Sequence, residues 1–267
     1  MSLKGKRIVI TGASSGIGRA LAIESVKRGA SVCIGARSKD KLAALVVEFP
    51  HANILTFELD VTSEESCKRF IAFANQGFGG IDILINNAGV SMRANFAQTA
   101  PHVLEQVMQV NFWGAVYCTH AAMPALLKSK GTVVGMSSVA GFSGLPGRTG
   151  YSASKFAMHG FLEALRVENL HTGLHVMIAC PGFTATNIRE TALNEKGNVQ
   201  KESPRDEGKM MSPEQVASRV LVAIEQKKEL LLISKEAKLS FWLKKFFPRF
   251  LQKMTYKHMK AEPNAPF

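Results

Sequence analysis

The sequence predicts an α/β fold, a single doubly wound domain built around a parallel sheet. Three observations lead there. Short apolar, β-branched runs alternate six times with longer stretches of helical period. Several of those short runs are apolar almost throughout, as strands covered on both faces are. The first of them runs straight into a glycine-rich turn that opens a helix. The strand candidates are Arg7–Thr11, Ser31–Gly35, Ile54–Leu59, Ile81–Asn86, Thr132–Ser137, Leu174–Cys180 and Glu229–Ile233. Helices are expected over 16–29, 38–49, 63–77, 101–128, 151–172 and 212–227. Ser38 and Thr62 read as N-caps, and Ser212 precedes Pro213 at a first helical position. Repeated strand–helix alternation calls for right-handed crossovers between parallel strands.

Composition narrows the classes. At 267 residues, 46% hydrophobic and 20% charged, the chain is neither disordered, collagen-like nor coiled coil. Thirty-three Lys and Arg against 21 Asp and Glu give a net charge of +12, which favours anionic partners. The four cysteines (Cys33, Cys67, Cys118, Cys180) have no C-x-x-C spacing, so neither a disulfide framework nor a zinc site is expected. The seven histidines show no paired ligand spacing, and no metal is expected. A strand by residue 7 leaves no room for a signal peptide, and no run of about 18 apolar residues suggests a membrane span. The expected location is the cytoplasm.

The turn after the first strand reads Thr11-Gly12-Ala13-Ser14-Ser15-Gly16-Ile17-Gly18. Glycines there let backbone N–H groups approach a pyrophosphate at a helix N-terminus. No Lys-Ser or Lys-Thr follows, which argues against a nucleotide triphosphatase. Folds of this kind that prefer NAD carry Asp or Glu at the end of the second strand, on the ribose hydroxyls. Here that end reads Gly35-Ala36-Arg37-Ser38. Arg37 can pair bidentately with a 2′-phosphate and Ser38 can donate to it. The fourth strand ends in Asn86-Asn87-Ala88-Gly89, at the border of the crevice where strand order reverses.

Ser138 and the run Tyr151-Ser152-Ala153-Ser154-Lys155 carry the chemistry. Tyr151 and Lys155 are four apart on one helical face. An ammonium beside a phenol favours phenolate, so Tyr151 is expected to have a lowered pKa and to donate a proton near neutral pH. Ser138, at the end of the fifth strand, can be folded back beside Tyr151 by the glycines at 141, 144, 147 and 150.

Taken together, T-G-x-x-x-G-I-G, N-N-A-G, Val110-Asn111, Ser138 with Tyr151 thirteen later, Y-x-x-x-K and P-G-x-x-x-T resemble the short-chain dehydrogenase/reductase family over about residues 5–235. The resemblance implies a seven-stranded parallel sheet in a Rossmann arrangement and a catalytic tetrad of Asn111, Ser138, Tyr151 and Lys155. It implies a nicotinamide dinucleotide held by Gly12, Ser14, Ser15, Gly16, Ile17 and Gly18. Asp60 and Val61 would border the adenine. Asn87, Ala88, Gly89, Tyr151 and Lys155 would line the middle, with Pro181, Gly182, Thr184 and Thr186 at the nicotinamide. With Arg37 and Ser38 at the ribose, NADP(H) is the expected cofactor. Tyr151 would protonate a carbonyl oxygen as the carbon takes hydride, Ser138 would hydrogen-bond that oxygen, and Asn111 would hold a water next to Lys155. Residues 187–211 match the variable substrate loop, a mobile lid or a plain loop. The expected function is interconversion of a carbonyl and a secondary alcohol on a small, apolar substrate by a homodimer or homotetramer. The alternative is a dinucleotide-binding regulatory or scaffold protein without turnover. No nucleic-acid-reading motif accompanies the positive charge.

Beyond this domain, 1–235, an extension over 236–267 departs from the family. From Lys235 to Lys260 there are eight basic residues and one acid, Glu236. Leu239, Trp242, Leu243, Phe246, Phe247, Phe250 and Met254 recur mostly at steps of three and four, and Pro248 should kink or divide the segment. Such a segment over 236–260 fits peripheral contact with anionic lipid, or packing on the domain, a second subunit or the substrate entrance.

Overall fold

The computed structural model describes residues 2–201, 203, 208 and 210–267. Among these, seven parallel strands form one sheet, β1 (Arg7–Thr11), β2 (Ser31–Ala36), β3 (Ile54–Glu58), β4 (Ile83–Asn86), β5 (Thr132–Met136), β6 (His175–Cys180) and β7 (Leu230–Leu232). Their spatial order is β3-β2-β1-β4-β5-β6-β7. The order reverses between β1 and β4, so their C-terminal ends splay apart and leave a crevice. Every predicted strand is present. The fourth starts two residues late, at Ile83, because the Asp82 carboxylate takes the Arg7 backbone N–H (2.9 Å) as well as its guanidinium (2.8 and 3.0 Å).

Helices cover both faces. On one lie α1 (Gly16–Lys27) and α2 (Lys39–Glu48), together with α7 (Pro213–Glu225), packing Leu21, Leu42, Leu45, Val216 and Val220 on the sheet. On the other lie α3 (Glu64–Phe78), α4 (Pro101–Met108), α5 (Gly114–Ser129) and α6 (Thr149–Glu168). Phe70, Cys118, Leu126, Met158 and Leu162 form their core with the opposite side of the same strands. Side chains of β1, β2, β4 and β5 are buried on both faces, which is why those runs lack polar alternation.

Two local expectations, the cap of α3 and an unbroken helix over 101–128, need correction. Ser63, not Thr62, caps α3, its hydroxyl accepting from Ser66 N–H at 3.2 Å; Thr62 instead gives its N–H and O–H to Asp60. Ser38 stands at the N-cap of α2 without a side-chain cap bond, whereas Ser212 forms a full capping box with Gln215. The single helix expected over 101–128 is divided by a π turn, Gln109–Trp113, that surrounds Asn111.

The tail is a pair of helices, α8 (Lys235–Phe246) and α9 (Pro248–Lys260), split at Pro248. They fold back on the domain through Ala237, Leu251 and Met259, all buried. Leu239, Trp242, Phe246, Phe247 and Phe250, the larger part of the apolar stripe, face outward instead. No described helix is long and apolar enough to cross a membrane.

Candidate functional site

The crevice is a cavity of about 1030 Å³ along the C-terminal edge of the sheet. Its floor is the β1 turn. Gly12 (φ +68°) and Gly18 have no room for a side chain, since a Cβ would lie 2.7 Å from Ala88 Cα in one case and 2.2 Å from Gly12 O in the other. Asn87 locks the turn by donating to Thr11 C=O (3.0 Å) and Gly12 C=O (3.1 Å). The Thr11 hydroxyl accepts from the N–H groups of Asn87 and Ala88, both at 3.0 Å. Strands β1 and β4 are thereby tied where their directions part.

All the residues expected to hold a dinucleotide line this one cavity. Gly12, Ser14, Ser15, Gly16, Ile17 and Gly18 form its base, and Ser15 caps α1 without filling the cap with its side chain. The first turn of α1 contains no acid, so the helix end stays favourable to an anion. Arg37 and Ser38 stand at the end of β2, and Asp60 and Val61 at the end of β3. Asn87, Ala88 and Gly89 face Tyr151 and Lys155 across the middle. Pro181, Gly182, Thr184 and Thr186 bring the segment after β6 over α1, with Thr186 Cγ2 3.2 Å from where a Gly16 Cβ would sit. Lys41, in the first turn of α2, also lines the cavity. No sequence signal singles out Lys41, because Arg37 precedes the N-cap of α2 and the two share no helical face.

Ser138, Tyr151 and Lys155 converge on this wall. Ser138 stands close enough to the Tyr151 hydroxyl to pull its pKa down. Lys155 Nζ lies 5.7 Å from the centre of the Tyr151 ring and donates to Met136 C=O at 2.8 Å. The electrostatics reverse one expectation. Burial pushes the Tyr151 phenol above its ordinary value, and the opposing pull of Ser138 and of the Arg148 charge does not overcome it. Burial also brings Lys155 down to about 8. The same desolvation that raises a phenol lowers an ammonium, and burial is the largest cause at both residues.

Asn111 does not line the cavity. It is wholly buried behind Gly89, with its amide committed to Val90 and Ser154. One helical turn beyond Lys155, His159 shares a 2.8 Å hydrogen bond with Ser137 and is lowered to about 4 by burial and the Lys155 charge.

Val90, Val139, Leu145 and Leu193 of the cavity wall are joined by Leu251, Met254 and Met259 of α9, with Thr255 and His258 beside them. The α9 wall was not foreseen residue by residue, because its apolar stripe does not reveal which face turns inward. Leu193, in the middle of the expected substrate loop, is buried and bridges to Met92 and Val199. This part of the loop is held rather than free. Residues 202, 204–207 and 209 of that loop lie outside the described residues.

The model of the short chain dehydrogenase family matches residues 6–197. A Drosophila melanogaster protein named dehydrogenase/reductase SDR family protein 7-like is 35% identical over 92% of this chain and 78% of its own length. An Arabidopsis thaliana 11-beta-hydroxysteroid dehydrogenase-like 2 is 39% identical over 73% of this chain and 64% of its own. Among solved structures, a short-chain dehydrogenase from Streptomyces avermitilis superposes with TM-score 0.80 at 28% identity, over 97% of this chain and 99% of that one. A Burkholderia phymatum short-chain dehydrogenase/reductase in complex with NAD shares the fold at TM-score 0.82 and 23% identity, over 94% of this chain and 96% of its own. With the glycine turn, the Ser-Tyr-Lys convergence and these matches together, the chain belongs to the short-chain dehydrogenase/reductase family of oxidoreductases.

Proposed function

We propose that the protein is an NADP(H)-dependent oxidoreductase that interconverts a carbonyl and a secondary alcohol on a small, apolar substrate. The observation that carries the reading is one cavity with Ser138, Tyr151 and Lys155 in its wall and Arg37, Ser38 and Lys41 at the end of β2. Two cations and a hydroxyl suit a 2′-phosphate, whereas a carboxylate there would suit free ribose hydroxyls. The nearby acids are engaged elsewhere, Glu58 by Lys39 at 2.7 Å and Asp60 by Thr62.

A bound nicotinamide dinucleotide supplies or takes the hydride. Tyr151 donates its hydroxyl proton to the substrate oxygen in reduction, and its raised pKa keeps that proton in place at neutral pH. Ser138 hydrogen-bonds the same oxygen and orients it. Lys155, near the phenol, steadies the phenolate left behind. The Val, Leu and Met walls favour an apolar substrate. Relatives named for hydroxysteroid dehydrogenases fit the same preference. Exposed Trp113 in the π turn, Leu127 on α5, and Phe156 and Val167 on α6 support a homodimer or homotetramer through those helices. The free, buried cysteines fit a reducing cytoplasm.

The test is titration of NADPH and NADH, then loss of near-ultraviolet absorbance with a panel of apolar ketones. NADPH should bind more tightly, and Arg37→Ala should weaken it about tenfold or more with little effect on NADH. Tyr151→Phe should cut turnover by about 100-fold or more while retaining cofactor. Equal affinity for both cofactors sinks the NADP(H) preference. Binding without turnover on every ketone would favour the scaffold reading.

A further inference from the structure

The helical pair α8–α9 has two faces. The inner face is spent on the domain: Ala237 is buried, Phe241 packs edge-on against Phe142 at 5.4 Å, and Leu251 and Met259 close the cavity. The outer face is apolar where solvent should favour polar side chains. Leu239 (55% exposed), Trp242 (57%) and Phe246 (58%) follow one another at i, i+3 and i+7 on α8. Phe247 (62%), Phe250 (57%) and Met254 continue at the same spacing on α9. The two stripes meet at the Phe247–Pro248 corner, where every residue from Lys244 to Phe250 is exposed. Trp242 and Phe246 stack in the open, 5.9 Å apart and nearly parallel.

Burying several large side chains of this kind in a partner is favourable, so such a stripe points to a partner. Charge selects its kind. Lys238, Lys245, Arg249 and Lys253 are all exposed on the same two helices, and the single acid of the pair, Glu236, lies by the cavity. A second copy meeting this face symmetrically would set these cations against one another, within a chain of net charge +12. An anionic bilayer surface complements both features at once, because Trp and Phe enter the headgroup layer while Lys and Arg stay at the phosphates.

We propose that the Phe247–Pro248 corner and its flanking stripes form a docking surface for an anionic lipid membrane. Met254 belongs to both faces, being part-exposed on the stripe and part of the cavity wall. Docking therefore brings the α9 wall of the cavity to the bilayer edge. The proposal does not depend on the cofactor or substrate assignment, since vesicle binding requires neither.

The full chain is sedimented with vesicles of phosphatidylcholine alone and with vesicles containing about 30% phosphatidylglycerol, at low and high salt. Binding is expected to the anionic vesicles, weakened by salt. It should fall about tenfold or more in Phe247→Ser/Phe250→Ser and again in Lys245→Glu/Arg249→Glu/Lys253→Glu, with unchanged thermal unfolding. All five positions are exposed, so folding should survive, and either set alone suffices if the other does not fold. No binding of the full chain to anionic vesicles at low salt overturns the proposal. So does binding that both variants retain. A concentration-dependent dimer without vesicle binding, lost in the phenylalanine variant, would assign the surface to a second copy and also overturn it.

Discussion

Asn111 grips the backbone of Val90 from both sides, its Oδ1 accepting from Val90 N–H at 2.8 Å and its Nδ2 donating to Val90 C=O at 2.9 Å. The second Nδ2 proton goes to Ser154 Oγ at 2.9 Å. The amide thus joins the loop after β4, the π turn and α6, the three segments that carry Gly89, Asn111 and Lys155. The π turn is the backbone device that opens this position, since one added residue in the turn shifts the side chain off the ordinary helical face.

Removing the amide should therefore damage the frame before it affects any chemistry. Asn111→Ala would leave the N–H and C=O of Val90 without their partner in half-buried surroundings. The expected loss is about 2–4 kcal/mol in denaturant unfolding. Asn111→Asp keeps the acceptor but loses both donors and should also destabilise. An alanine variant as stable as the parent would show that the clasp contributes nothing to the fold.

Lys155 gives a pH signature with a definite sign. Its pKa falls from 10.5 when unfolded to about 8 when folded, because burial disfavours the ammonium. The unfolded chain then binds more protons between those values, so this group's destabilising effect is full below pH 8 and fades as pH rises toward 10.5. The check is NMR titration of lysine side chains in the cofactor-free chain, with Lys155→Met assigning the signal. One lysine should titrate near 8, well below the others. If no lysine titrates below about 10, the ammonium is not desolvated as the geometry requires.

The sheet was legible in the sequence because strands such as Val9–Ile10 and Ile83–Ile85 are buried on both faces, leaving continuous apolar runs. The site was legible where a residue's role is local: Gly12 and Gly18 are dictated by the turn, and Tyr151 and Lys155 by one helical turn. What escaped is long-range. No periodicity distinguishes a π turn from an α-helix over five residues at Gln109–Trp113. The downward shift at Lys155 depends on how deeply neighbouring elements bury it. The tail pattern identified an amphipathic helix with a break at Pro248, but Ala237, Phe241, Leu251 and Met259, rather than the stripe from Leu239 to Phe250, are the residues that pack.

Glu262 is the clearest case of a contact without a sequence signal. It lies 114 residues from Arg148, yet Arg148 Nη2 donates to both its carboxylate oxygens, at 3.0 and 2.8 Å, with Arg93 Nε 3.6 Å away. The carboxylate is almost fully buried, and Arg93 also donates to the backbone C=O groups of Pro263 and Asn264. The end of the chain is thus fastened over the site three residues before Tyr151. Glu262→Met leaves buried guanidinium charge uncompensated and should cost about 3–5 kcal/mol. Arg148→Met/Glu262→Met removes the bidentate pair and should recover part of that loss, the Arg93 guanidinium being left beside the apolar replacement. Urea unfolding of the parent, the two single variants and the double variant closes the cycle. A coupling well above about 1 kcal/mol is expected. Additive losses would mean that the two side chains are neighbours without being energetically paired.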